Sequence, residues 1–168
     1  MFDIESKNPE EITITTKKTS VTFNVAEGTV EADLRVGKIQ GPGEFEIGDI
    51  AIRALGVSGG KATSEQPTSS VVSFNPNGAR VIYDVEVGGI HVGIIGGCEE
   101  GLDELSMIGI LCTSSVRAVR EVEPRLVVAM GNVDGMVTEL KLSARAEKKL
   151  KIKNADSLPL ALEVVALN

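Results

Sequence analysis

One stretch constrains the fold more than any other: Val81-Ile82-Tyr83-Asp84-Val85-Glu86-Val87-Gly88-Gly89-Ile90-His91-Val92-Gly93-Ile94-Ile95-Gly96-Gly97. Its first arm alternates β-branched or aromatic residues with Asp84 and Glu86, as a half-buried strand does. Its second arm is almost wholly apolar. Gly88-Gly89 supplies the positive φ angles that a two-residue hairpin turn requires. The spacing therefore predicts a hairpin whose second strand is buried on both faces and ends in bare glycine. Glycine there lets backbone approach whatever lies beyond the strand's carboxyl end. A site is expected at that end, yet no reactive side chain stands there.

The totals limit what can be built around this hairpin. A chain of 168 residues with 42% hydrophobic content suits one domain, residues 1–168, with a sizeable core. The net charge of −7 and the pI near 4.8 argue against nucleic acid as a partner. Four Phe, one Tyr and no Trp provide no stacking platform for single strands. Cys98 and Cys112 lie in apolar or strand-like surroundings and make no disulfide framework, which points to a reducing, cytoplasmic compartment. The opening Met1-Phe2-Asp3-Ile4-Glu5-Ser6-Lys7 carries neither a basic nor an apolar leader pattern, so no signal peptide is expected. No apolar run approaches the roughly 18 residues of a membrane span, so a membrane is not an expected partner.

Around the hairpin the periodicity changes from two to helical. Glu11 to Thr16 and Ser20 to Val25 alternate and predict an N-terminal hairpin, and Thr29 to Val36 predicts another half-buried strand. A Gly41-Pro42-Gly43 turn, a strand from Glu44, a Gly48-Asp49 turn and a strand through Leu55 follow. Residues 57–70, rich in Gly, Ser and Thr, predict an exposed loop; Val71 to Phe74 begins a strand, turned by Asn75-Pro76-Asn77-Gly78. Beyond Gly97, Leu102 and Leu105 predict one or two helical turns and Ile108 to Thr113 a short buried strand. Ser114-Ser115 can cap a helix with Val116, Val119 and Val122 as its apolar stripe, ended by Pro124. Leu126 to Met130 closes a strand–helix–strand unit, which implies parallel pairing and a right-handed crossover. Thr138 to Leu150 reads as a second helix, and Leu160 to Leu167 as the last strand. Strands first, then helices alternating with strands, predict an α/β sandwich with sheets inside and helices outside.

Gly41-Pro42-Gly43-Glu44-Phe45-Glu46-Ile47 resembles the Gly-Pro-Gly-Glu-Tyr/Phe-Glu strand of the metallo-β-lactamase fold. More narrowly, it is similar to small metal-dependent hydrolases related to the ascorbate-phosphate lactonases. The Ile82 to Gly97 hairpin, Leu102-Asp103-Glu104-Leu105, the Ile108 to Thr113 strand, Pro124 and Leu126 to Met130 follow in the order of that family. The resemblance implies a reduced metallo-β-lactamase-like sandwich with outer helices. In the family, a His-x-His-x-Asp-His loop, two further His and an Asp hold one or two metal ions that activate water. The loop motif should fall before Gly41, and no histidine lies there. The bridging Asp should follow Gly96, where Gly97 stands; the last His should follow Met130, where Gly131 stands. With His91 the one histidine in the chain, that metal centre cannot be assembled, and no cofactor is expected. The resemblance also implies that Gly97 and Gly131 open on one edge of the sandwich, on the order of 10 Å apart, around a shallow or filled pocket.

The remaining candidates have plainer readings beside their chemical ones. His91 reads as a surface histidine of a strand. Cys98, Glu99, Glu100 and Asp103 follow Gly97 and could place a thiol and carboxylates at the vacant site, together with Asp134; the same acids also suit a helix N-terminus. Ser114 and Ser115 lack a histidine base, and capping accounts for them. Lys141, Arg145, Lys148, Lys149, Lys151 and Lys153, with Glu147 the one acid among them, predict a basic helix face on an acidic molecule. Two functions follow. One is a catalytically inactive scaffold that forms a homo-oligomer or binds a protein partner or ligand. The other is a hydrolase with a displaced site built from Cys98, Glu99, Asp103 and Asp134.

Overall fold

A computed structural model describes residues 1–32, 38–40, 42–58 and 79–168. Two sheets face each other. The first has six antiparallel strands: β1 (Phe2–Asn8), β2 (Glu11–Thr15), β3 (Ser20–Asn24), β4 (Thr29–Ala32), β5 (Lys38–Gln40) and, from the far end of the chain, β13 (Leu150–Ile152), which pairs with β1. The second has eight: β6 (Gly43–Ile47), β7 (Ile50–Ser58), β8 (Ala79–Val87), β9 (Ile90–Gly96), β10 (Ile108–Thr113), β11 (Leu126–Ala129), β12 (Ala144–Glu147) and β14 (Glu163–Leu167). Its spatial order is β12-β14-β11-β10-β9-β8-β7-β6, antiparallel from β6 to β9 and parallel from β9 through β12.

Alternation decides which side chains enter the space between the sheets. Ile12, Ile14, Val21 and Phe23 of the small sheet meet Ile52, Tyr83, Val85, Val92 and Ile94 of the large one, all buried. The rings of Phe23 and Tyr83 meet edge to face, centroids 5.2 Å apart. The Tyr83 hydroxyl is buried without a hydrogen-bond partner among the described residues, and burial raises its pKa above the usual phenol range.

The other face of the large sheet carries the helices. Ile82, Ile95, Leu111, Val127 and Val164 form a second apolar layer with Ala118 and Val119 of α1 (Val116–Val122) and Met136 of α2 (Val133–Leu140). Ser115 caps α1, its Oγ accepting from Ala118 N at 3.1 Å, and Glu123 ends the helix in the left-handed region just before Pro124. Gly88 and Gly89 turn the organising hairpin with φ of 59° and 75°. Gly93 is glycine for a different reason: a Cβ there would lie 2.9 Å from Leu111 Cδ1.

Several expectations need correction. Thr138 to Leu150 is not a helix. α2 starts five residues earlier, on the Val133, Met136, Val137, Leu140 spacing, and Lys141 ends it with φ of 57°. The residues beyond it extend because Ala144–Glu147 finds a full row of partners on β14, and Leu150 and Ile152 reach the inter-sheet core. The basic run is therefore two edge strands and their turn. Arg145 pairs with Glu147 and Glu163, and Lys149 with Asp3 and Glu5. The last strand begins at Glu163, not Leu160. Val57 and Ser58 end β7, while the rest of the 57–70 loop, with Val71 to Phe74 and the Asn75 to Gly78 turn, lies outside the described residues, as do 33–37 and Gly41. β1 has no counterpart in the sequence reading. Among the described residues no helix is long and apolar enough to cross a membrane.

Candidate functional site

The carboxyl ends of β9, β10 and β11 lie side by side, and one threonine ties them together. Thr113 pairs in register with Gly96 on one side and Ala129 on the other. Its Oγ1 donates to Gly96 O at 2.7 Å and accepts from Ser115 N at 3.0 Å, and its carbonyl accepts from Met130 N at 2.9 Å. Ser114 N adds a second bond to Gly96 O at 2.9 Å. Thr113 is fully buried, so its hydroxyl relies on these protein partners. Thr113→Val keeps the shape and deletes the hydroxyl; thermal unfolding should show a loss of about 1–3 kcal/mol. Unchanged stability would mean that the hydroxyl does not hold the strand ends.

Gly97 follows β9 directly, Ser114 follows β10, and Gly131 stands two residues past β11. Gly97 and Gly131 line one cavity of about 740 Å³, and a Cβ on either would come within 4.0 Å of the Ser114 side chain. With β9 and β11 two strand spacings apart and level at Thr113, the expected convergence of the two glycines holds. The space between them is not filled. The β3–β4 connection (Val25, Ala26, Glu27, Gly28) and Pro9-Glu10 wall the space without closing it.

The proposed displaced constellation is not assembled. Of its four members, Cys98 alone lines the cavity; its Sγ is buried and donates to Glu100 O at 3.6 Å. Glu99 turns away to accept from Ser115 Oγ at 2.5 Å, with Arg117 3.8 Å from it. Asp103 is exposed on the 3₁₀ turn Leu102–Glu104, and Asp134 in the first turn of α2. Neither lines the cavity. Cys112 is buried within β10, and burial raises its thiol pKa above the usual range, so it stays a small protonated core residue.

Three polar side chains escaped the sequence reading: Glu10, Glu27 and Asn132 line the cavity with Cys98 and Ser114. Only the folded topology brings the first two, from turns of the small sheet, to the strand ends of the large one. Asn132 is engaged as the α2 cap, its Oδ1 accepting from Gly135 N at 3.0 Å. Zinc prefers imidazole and thiolate ligands. Among the described residues no group of three or more His, Cys, Asp or Glu could hold a metal ion. The donors at the strand ends do not fit the family's metal centre.

His91 is not at this site at all. It is the second residue of β9, near the opposite end of the strand from Gly96, and its Nδ1 lies 2.9 Å from Asp84 Oδ1. The expectation of an ordinary surface histidine missed this buried carboxylate partner.

Two sheets facing each other, with helices on the outer face of the larger one, form the metallo-β-lactamase fold. A solved structure with this fold is from Thermotoga maritima, a metallo-β-lactamase superfamily protein for which Zn-dependent hydrolase activity is proposed. It superposes with a TM-score of 0.65 over 99% of this chain and 99% of its own, at 13% sequence identity. No protein-family model and no curated protein sequence matches the chain.

Proposed function

We propose that the chain is a catalytically inactive metallo-β-lactamase-fold protein, related to the small ascorbate-phosphate lactonase-like hydrolases, whose scaffold serves self-association or the binding of a partner or ligand. One observation carries this reading. At the level strand ends where the family places its Asp and His ligands, this chain has Gly97 and Gly131 beside an open cavity. Glycine offers no side-chain donor, and the one histidine sits near the far end of β9. The displaced-site alternative loses support because Glu99, Asp103 and Asp134 do not line the cavity that Cys98 lines.

Self-association draws on the edges. Among the described residues, β6 and β12 are the free edges of the large sheet and β13 is an edge of the small one. Lys148, Lys151 and Lys153 stand exposed around β12 and β13, while β6 carries exposed Glu44 and Glu46. Opposite charge on different edges favours contact between copies in a cytoplasmic setting.

Light scattering of the full chain at low salt is expected to return a mass above the monomer that falls as salt rises. In parallel, phosphodiester, lactone and β-lactam probes with added Zn²⁺ or Mn²⁺ should show no turnover above solvent background. A monomer mass at high concentration and low salt would remove the self-association reading. Metal-dependent turnover lost in Cys98→Ala would establish the displaced hydrolase instead.

A further inference from the structure

A strand at the rim of a sheet leaves half of its backbone groups unpaired, and its register decides which half. On β6 the two-residue Gly48-Asp49 turn makes Ile47 and Ile50 a hydrogen-bonded pair. Alternation then directs the backbone groups of Gly43, Phe45 and Ile47 toward β7, and those of Glu44 and Glu46 toward the free edge. On β12, Asn168 N donates to Glu147 O at 2.9 Å, so Glu147 and Arg145 direct their backbone groups toward β14. Ala144 and Ala146 direct theirs outward. Among the described residues, no strand pairs with either free edge.

The side chains of these outward residues share one face of the sheet. Glu44 and Glu46 are in register with Arg53 and Ala51, on the face where Leu55 packs under the helices. Ala144 packs against the same helix layer. The inner face carries Phe45 on β6, and on β12 Arg145 and Glu147 beside Val165 and Leu167. Strand directions followed across the sheet leave β6 antiparallel to β12. A second copy that continues the sheet, with its helices on the same side, therefore sets its β12 antiparallel to this β6.

One register pairs every outward group of both strands: Glu44 opposite Ala146 and Glu46 opposite Ala144. The alanine methyls leave room for the glutamates, and Glu44 falls diagonal to exposed Lys148. On the inner face Phe45 falls opposite Arg145, a cation against an aromatic ring. Like edges do not match in this way. Antiparallel pairing of two β6 strands sets Glu44 against Glu46 of the other copy, and pairing of two β12 strands sets Arg145 against Arg145. Like charge guards each edge against its own kind and leaves the other edge as its complement.

We propose that copies of this chain associate head to tail, β6 of one adding to β12 of the next, so that the large sheet runs on from copy to copy. This interface rests on the self-association reading and gives it a surface and a register. Main-chain hydrogen bonds supply its affinity and the Glu44–Lys148 diagonal its polarity. Opposite rims of one sheet make the contact heterologous, so the product is a ring or an open chain and not a two-fold dimer.

Proline at a position whose N–H points off the edge removes no bond within the fold and blocks pairing there. Glu46→Pro disables β6 and Ala146→Pro disables β12. Sedimentation of the full chain at low salt is expected to show masses that grow past two copies with concentration. Each proline variant alone should stay monomeric with an unchanged circular dichroism spectrum. Mixed in equal amounts, the two should form a one-to-one dimer, because each retains the edge that the other lacks. Glu44→Lys, which faces Lys148 without a proline, should weaken association of the full chain several-fold. A monomeric unmodified chain removes self-association itself, and this interface with it. If the unmodified chain associates, the head-to-tail contact is overturned by a mass that saturates at two copies, by a proline variant that still self-associates, by a mixture that stays monomeric, or by indifference to Glu44→Lys.

Discussion

Phe23→Ala is expected to lower stability by about 3–5 kcal/mol. Phe23 lies mid-strand in β3, is fully buried between the two sheets, and presents its ring edge to Tyr83. Its removal takes away apolar burial, an aromatic pair and filler from a space bounded by two relatively rigid sheets that cannot close over the void. At about 2–4 °C per kcal/mol for a chain of this size, the midpoint of thermal unfolding should fall by roughly 6–20 °C. Urea unfolding gives the free energy independently. Phe45, on edge strand β6 and half-buried, should cost clearly less when truncated. Equal costs would mean that the two sheets do not share the core described here.

Gly96→Val should be comparably damaging for a different reason. Gly96 ends β9 with φ of 56°, and its missing Cβ faces Val25, whose Cγ2 would lie 2.9 Å away. A β-branched residue there meets the left-handed backbone penalty of about 1–2 kcal/mol. It also overpacks the wall of the strand-end cavity, which adds about 1–3 kcal/mol. Gly88→Ala separates the two contributions: φ is 59°, yet nothing lies within 4 Å of the added Cβ. Chemical denaturation should show a loss near the backbone penalty alone for Gly88→Ala and at least twice that for Gly96→Val. Similar losses would show that the Val25 contact does not constrain the strand end.

The contrast between the two turns also shows what can be read from the chain. The hairpin was legible because Gly88-Gly89 and strict alternation are local signals, and the turn glycines have the positive φ that the spacing predicts. Ser115 as a cap, and the parallel β10–α1–β11 unit, were legible for the same reason. The segment after Thr138 was not. Its Lys, Ala, Glu and Leu favour helix locally, but pairing with β14 outweighs that preference, and pairing depends on a strand twenty residues further on. The α2 signal, apolar residues at Val133, Met136, Val137 and Leu140 behind an Asn132 cap, is nonetheless local to the sequence. β1 presents only Phe2 and Ile4 as fully buried apolar positions, too few for periodicity to reveal.

The site divides along the same line. Gly97 and Gly131 line one cavity, at the positions where the resemblance places an Asp and a His. Glu10 and Glu27 were not legible, since turns of a different sheet bring them to the cavity. The Asp84–His91 pair was hidden by its register: the two residues lie on adjacent strands, one row apart, and only the folded sheet shows the 2.9 Å bond between them.

Zinc content tests most directly whether the strand ends have ceased to be a metal centre. The purified full chain is equilibrated with excess Zn²⁺, desalted, and analysed for metal per chain. Less than about a tenth of an equivalent is expected to remain, because the strand ends offer neither the imidazoles nor the thiolate cluster that retain zinc. Near-stoichiometric zinc that resists a chelator and disappears in Cys98→Ala would contradict the vacancy of the site and make Cys98, with Glu10 and Glu27, a metal centre of a new kind.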